Sequence, residues 1–209
     1  MNIQLAINEG ANILKDKEIQ TAKLDTEILM SKVLDKDRKY VILNNTKELQ
    51  KKNFEYFKKL IKERSFRKPI AYLINKKSFW NSEFYITSDT LIPRPDTELL
   101  IDQALMLTKN KNNLNLLDIG VGSGCILLSI LKEKKNFYGT GIDISKKCLN
   151  ISKINAKNLK LETRTKFYKT DVDKFSLGKY DLIISNPPYV NKFDLKYLDK
   201  DVACFEPRL

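Results

Sequence analysis

The run Ile184-Ser185-Asn186-Pro187-Pro188-Tyr189 places reactive residue types at close spacing. It follows Tyr180-Asp181-Leu182-Ile183-Ile184, an apolar run that predicts a buried parallel strand. Each proline removes a backbone donor and fixes φ near about −65°. The turn after the strand is therefore stiff and offers carbonyl oxygens with few competing N–H groups. Asn186 adds a side-chain carbonyl and an amide, and Tyr189 adds a flat aromatic face. Such a turn suits a planar –C–NH2 group: two oxygens accept its two hydrogens while the ring holds its plane. A Pro-rich loop that merely closes a strand is the plainer alternative.

A second set of residues points to the co-reactant. Asp118 precedes the loop Gly120-Val121-Gly122-Ser123-Gly124, whose glycines let the backbone approach a ligand closely. A glycine loop alone would also suit a dinucleotide. An acid at 118, however, would repel a pyrophosphate and attract a cation such as a sulfonium or an α-ammonium. Asp143 lies 19 residues past Gly124, where a carboxylate can accept both hydroxyls of a ribose. Asp171 and Val172 would flank an adenine, with Asp171 accepting from its amino group. S-adenosylmethionine fits all of these positions, whereas NAD fits only the ribose. Any one aspartate could be a turn or cap residue; their recurrence at successive strand ends carries the argument.

Those strand ends follow from the pattern between residues 114 and 184. Leu114–Ile119, Phe137–Ile142, Thr165–Lys169 and Tyr180–Ile184 read as strands, with helices over Cys125–Glu133 and from Ser145 to about Asn158. Strands separated by helices predict a doubly wound parallel sheet, in which ligands sit beyond the carboxyl ends of the strands. Upstream, residues 1 to about 68 read as a small bundle of four or five short helices, with Gly10 as a breaker. Ala22, Leu29 and Val33 share one helix face, and Phe54, Phe57 and Ile61 another. A further helix is expected to start near Lys47, and Pro69 to end the helical stretch. Ser78–Trp80 and Phe84–Thr87, around the polar tip Asn81-Ser82-Glu83, predict a β-hairpin. In Ile92-Pro93-Arg94-Pro95-Asp96-Thr97-Glu98, two prolines hold Arg94 stiffly toward an acidic group or a ligand, and Asp96 is expected to cap the next helix. That helix should bury Leu100, Ile101, Ala104 and Leu105.

Composition sets bounds on this reading. The 209 residues are 42% apolar and 31% charged, and no apolar run approaches the roughly 20 residues of a membrane span. No signal peptide is expected at Met1–Gly10. Three scattered cysteines and no histidine predict neither a disulfide frame nor a metal site, and a reducing cytoplasm is the expected location. The net charge of +12 comes from 32 Lys and 6 Arg spread along the chain, which reads as general surface charge more than as a nucleic-acid footprint.

Taken together, these motifs resemble class I S-adenosylmethionine-dependent methyltransferases, and within them the HemK-type peptide chain release factor glutamine methyltransferases. The likeness runs over nearly the whole chain, from the helical region through Ile92–Glu98, Asp118–Gly124, Asp143, Asp171 and Asn186–Tyr189 to Asp201-Val202 and Phe205-Glu206-Pro207. The 92–98 stretch distinguishes it from adenine-DNA methyltransferases, which share the Asn-Pro-Pro-Tyr turn. The resemblance implies a Rossmann-like α/β sheet with a small N-terminal helical domain (1–75), a bridging β-hairpin and linker (76–97) and a methyltransferase domain (98–209). That sheet normally has seven strands in the order 3-2-1-4-5-7-6; here it is expected to be truncated after strand four, leaving that strand as an edge. The implied substrate is the glutamine of the Gly-Gly-Gln tripeptide of release factors, with the helical domain helping to hold the protein. Asn186, Pro187 and Tyr189 would carry the chemistry, with Pro188 and Arg94 in the substrate site. Asp118, Gly120, Val121, Gly122, Ser123, Gly124, Asp143, Asp171, Val172 and Asn186 would line the S-adenosylmethionine. Val172 stands where the family carries an aromatic residue, which implies weaker stacking on the adenine. A monomer with no membrane and no nucleic-acid substrate is expected. The alternatives are an adenine amino-group methyltransferase acting on nucleic acid, or an inactive truncated binding module.

Overall fold

The structure, a computed structural model, describes residues 1–187 and 200–207, which fall into two compact units. The helical unit comprises 1–74 with 200–205, and the sheet unit 75–187 with 206–207.

In the helical unit, α1 (Ile3–Lys15), α2 (Ala22–Leu34), α3 (Arg38–Leu43), α4 (Lys51–Ser65) and α5 (Ile70–Ile74) precede the sheet unit, and a sixth helix, Lys200–Phe205, joins from beyond it. Side-chain oxygens of Asn2 and Asp37 cap α1 and α3 by accepting from Leu5 N at 2.8 Å and Tyr40 N at 2.7 Å. The core takes Ile3, Ile7 and Leu14 from α1, Leu29 and Met30 from α2, and Phe57, Leu60 and Ile61 from α4. The two expected faces thus point inward, with Val33 and Phe54 half-buried against the same cluster.

Three local expectations are corrected. Gly10 does not break α1; a Cβ there would lie 3.0–3.1 Å from Ile61, Phe57 and Thr26, so glycine lets the helices approach. The helix expected near Lys47 begins at Lys51, because 47–49 pair with the chain start: Ile3 N donates to Lys47 O at 3.0 Å and Leu49 N to Met1 O at 2.9 Å. Pro69 lies past the end of α4 at Ser65 and opens α5, its carbonyl accepting from Tyr72 N and Leu73 N.

One buried charge organises this unit. The Arg64 guanidinium donates to Asp25 Oδ2 at 2.7 Å, Asp201 Oδ2 at 2.6 Å and the Lys68 carbonyl at 3.2 Å. Burial works to lower its pKa, but the two carboxylates outweigh it and hold the group above its ordinary value.

The sheet unit opens with an antiparallel hairpin, β1 (Lys76–Phe79) and β2 (Ser82–Tyr85), in the register Lys76↔Tyr85 to Phe79↔Ser82. Its tip is Trp80-Asn81, not the more polar 81–83; Trp80 takes a left-handed φ of 50°. Trp80 is held there by its backbone N–H, which donates to Glu98 Oε1 at 2.7 Å, and its ring N–H, which donates to Glu133 Oε1 at 2.8 Å. Pro95–Thr97 form one 3-10 turn leading into α6 (Glu98–Leu107), which has no side-chain cap. Asp96 is therefore not the cap expected: the turn already begins at Pro95, so Asp96 lies inside it. α6 buries Ile101 and Ala104, while Leu100 and Leu105 are half-buried.

Then follow β3 (Asn115–Ile119), α7 (Cys125–Glu133), β4 (Tyr138–Asp143), α8 (Lys146–Asn158), β5 (Thr165–Lys169) and β6 (Leu182–Ser185). All ladders of this sheet are parallel and the order is β5-β4-β3-β6, the 3-2-1-4 arrangement expected. β6 forms one edge of the four described strands, with Ile184 buried and Ile183 58% exposed. The remaining helix, Lys200–Phe205, is α9.

Candidate active site

Strand register gathers the site. Ile119 pairs with Ile142 on one side and with Ser185 on the other, and Asp143 pairs with Lys169. Adjacent strands are about 4.8 Å apart. The glycine loop after Ile119, Asp143 at the end of β4, and Asn186 after Ser185 therefore share the carboxyl edge of neighbouring strands. The Ser185 hydroxyl reinforces this, donating to Ile119 O at 3.0 Å. Asp171 and Val172 lie just past Lys169 at the same edge.

The glycine loop is held by the strand beside it. Gly120 N and Val121 N donate to Ile142 O at 2.9 and 3.0 Å, and Gly122 N donates to Asp143 Oδ2 at 3.0 Å. Asp143 Oδ1 accepts from Ser145 N at 2.8 Å, so this carboxylate also sets the start of α8. From the other side, the Ser152 hydroxyl donates to Gly122 O at 2.7 Å and Asn155 Nδ2 to Ser123 O at 2.8 Å. Gly120 has a φ of 74°, and a Cβ there would meet no atom within 4 Å. The backbone is thus left open to a ligand at that point. Val121, Ser123 and Gly124 are buried.

Asp118 is the unusual member. It is 1% exposed, and among the described residues neither carboxylate oxygen has a hydrogen-bond partner. Burial pushes its pKa from 3.8 up to about 7; the Leu127 N–H, outside hydrogen-bonding geometry, opposes the rise, and the Asp143 charge adds to it. A buried acid without a partner is costly unless something cationic or hydrogen-donating comes to it.

The other residues singled out from sequence are placed as follows. Asn186 is half-buried, and its Nδ2 donates to Thr97 Oγ1 at 3.4 Å, a long bond that links it to the 92–98 stretch. Pro187 is exposed. Pro188 and Tyr189 lie outside the described residues. Asp171 Oδ1 accepts from Asp173 N at 3.1 Å, and Val172 is 48% exposed. Arg94 finds an acidic group, the buried carboxylate of Glu206, rather than open space.

Comparison with known proteins identifies the family. Residues 6–74 match the family model of the PrmC N-terminal domain, and residues 95–199 that of the methyltransferase small domain. A release factor glutamine methyltransferase of Buchnera aphidicola subsp. Acyrthosiphon pisum is 38% identical over 207 residues, covering 99% of this chain and 73% of the relative. The chain belongs to the release factor glutamine methyltransferase family. Members from Buchnera aphidicola subsp. Baizongia pistaciae and Clostridium acetobutylicum are 39% and 34% identical, over 94% and 99% of this chain and 70% and 74% of their own lengths.

Several further residues shape this candidate site without standing out in the sequence. Thr97, Ser152, Asn155 and Ser185 all hold its backbone or side chains. A signal for two of them was present: Ser152 and Asn155 are polar residues on the face of α8 that otherwise buries Cys148, Leu149, Ile151 and Ala156.

Proposed function

We propose that this chain transfers a methyl group from S-adenosylmethionine to the side-chain amide nitrogen of the Gly-Gly-Gln glutamine in a peptide chain release factor. The observation that carries this reading is the register Ile119↔Ser185, which sets the glycine loop and Asn186 at one end of adjoining strands. The residues present fit the cofactor. Asp118 offers an unpartnered buried carboxylate to a cationic group, and the open side of Gly120 leaves room against the backbone. Asp143 would receive the ribose hydroxyls, while Asp171 and Val172 would flank the adenine. When bound, S-adenosylmethionine supplies an electrophilic methyl group on a positively charged sulfur.

The chain's own task is to make an amide nitrogen nucleophilic. That nitrogen is inert because its lone pair is delocalised into the carbonyl. The Asn186 side-chain oxygen and the Pro187 carbonyl would grip its two hydrogens, favour a pyramidal nitrogen, and disperse positive charge as the new C–N bond forms and the methyl–sulfur bond breaks, with a neutral thioether leaving and one amide hydrogen passing to solvent as a proton. In this reading Asn186 Nδ2, which donates to Thr97 Oγ1 at 3.4 Å, would leave the side-chain oxygen to act as acceptor. Oxygens aimed at developing charge contribute about 10²–10³ in rate each, by analogy with oxyanion holes. Holding donor and acceptor in line supplies a further large part. Tyr189 would pack on the amide plane, and Arg94, fixed by Glu206, would shape the substrate side. The protein acts as a cytoplasmic monomer in this reading; among the described residues no helix is long and apolar enough to cross a membrane.

The test is direct transfer from methyl-tritiated S-adenosylmethionine. Label should appear on intact release factor, and neither on a release factor with that glutamine replaced nor on adenine-containing DNA. Label on DNA, or on both release factors alike, would overturn the assignment.

A further inference from the structure

Helix α8 buries two polar side chains, Ser152 at 0% and Asn155 at 1% exposure. Polar groups at such positions are costly unless they are fully used. Both are used on the same object. The Ser152 hydroxyl donates to Gly122 O at 2.7 Å, and Asn155 Nδ2 donates to Ser123 O at 2.8 Å. The carbonyls of two successive glycine-loop residues are thereby drawn toward α8. In a trans peptide the C=O and the following N–H point in opposite directions. Pulling Gly122 C=O toward α8 therefore aims the Ser123 N–H away from it.

Asn155 also grips the hairpin. Its Oδ1 accepts from Tyr85 N at 2.7 Å, and its Nδ2 donates to Tyr85 O at 2.9 Å. The side-chain amide thus acts toward Tyr85 as a neighbouring strand would. One buried amide joins hairpin strand β2 to the loop through three hydrogen bonds, across sequence separations of 70 and 32 residues.

We propose that Asn155, together with Ser152, is a positioning residue that keeps the glycine loop in the shape that receives the cofactor and ties that shape to hairpin strand β2. This rests on the loop being the S-adenosylmethionine site, as proposed above. The loop's amides are held by β4 and its carbonyls by α8, so releasing α8 should loosen the loop without touching the transferring groups at Asn186.

The experiment compares the unaltered chain with Ser152→Ala and Asn155→Ala. For each, KM for S-adenosylmethionine and kcat are measured with release factor as acceptor, and hydrogen exchange is followed at Gly122–Gly124 and Tyr85. Ser152→Ala should raise KM about fivefold, and Asn155→Ala about tenfold or more, with a smaller change in kcat, in line with one and then several buried hydrogen bonds lost. In the unaltered chain S-adenosylmethionine should slow exchange at the Tyr85 amide as well as in the loop. In Asn155→Ala the effect at Tyr85 should vanish. If Asn155→Ala does not fold, Ser152→Ala, which removes one hydroxyl, decides the KM question. KM within twofold of the unaltered chain in a folded Ser152→Ala, or a fall in kcat alone, would overturn the proposal. If the unaltered chain binds no S-adenosylmethionine, the functional reading fails. Exchange at Gly122–Gly124 would then still show whether α8 holds the loop: faster in the variants if it does, unchanged if it does not.

Discussion

Arg64 in the helical unit and Asp118 in the sheet unit are both buried charged side chains, and their surroundings differ in kind. Arg64, 7% exposed, has two carboxylates and a carbonyl around its guanidinium. Asp118, 1% exposed, has no hydrogen-bond partner for either carboxylate oxygen among the described residues, and the charge that acts on it, Asp143, is another acid. The first is architecture: a planar fork that fastens α4 to α2 and α9, with one guanidinium hydrogen-bonded to both carboxylates. The second is an arrangement that a folding requirement alone would not retain. A strongly perturbed carboxyl on a strand that runs into a glycine loop marks a candidate functional position, and under the proposed function it is the one that faces the cofactor. Buried charge alone therefore says little; whether it is matched separates scaffold from site.

The sharpest way to break this comparison is Arg64→Ala. It strands Asp25 in the helical core, and removing one partner of a buried pair costs about 3–5 kcal/mol. Urea unfolding should show that loss; a loss under about 1 kcal/mol would mean the network is not structural. At the site, Asn186→Ala should cut methyl transfer at least about a hundredfold while leaving cofactor binding mostly intact, read by tritium transfer and calorimetry. A near-normal rate would remove Asn186 from the chemistry.

Asp118→Asn keeps the shape and removes the unmatched acid. With a folded pKa near 7 against 3.8 ordinarily, the folded state holds its proton after the unfolded chain has released it. Stability should therefore fall as pH rises from about 4 to about 7, by at most ~1.4 kcal/mol per pH unit, and level off above. The asparagine variant should lose that slope, gain stability at pH 8 and bind S-adenosylmethionine more weakly. Unchanged cofactor affinity would break the link between the unmatched acid and the ligand. The smallest effect is expected at Lys147→Ala. Its 3.0 Å pair with Asp89 has a lysine side chain 76% exposed, so thermal or urea unfolding should shift by less than about 1 kcal/mol.

Much of the sheet unit was legible beforehand, for a physical reason. Parallel strands buried on both faces read as short apolar runs, and the chain must turn sharply at their carboxyl ends. Asp118, the glycines, Asp143 and Asn186 therefore stand out at spacings that already imply one edge. The hairpin is legible in the sequence, but its tip sits a residue or two before the polar stretch that predicts it. Trp80 accepts a left-handed backbone because Glu98 and Glu133 hold it, and neither is near it in sequence. The late start of α4 and the role of Gly10 were likewise hidden, since each depends on a contact with another element rather than on local propensity.

By itself, the order of residues determined which elements form and which chemical groups end each strand, because those follow from periodicity and from the backbone preferences of glycine and proline. Only the tertiary structure decided what each group faces. Arg94 meets Glu206, Asn186 meets Thr97, and Asn155 reaches both the loop and the hairpin, while Asp118 has no hydrogen-bond partner among the described residues. The reason is range: propensities act over a turn or two of chain, whereas these pairings join residues from 32 to 112 positions apart.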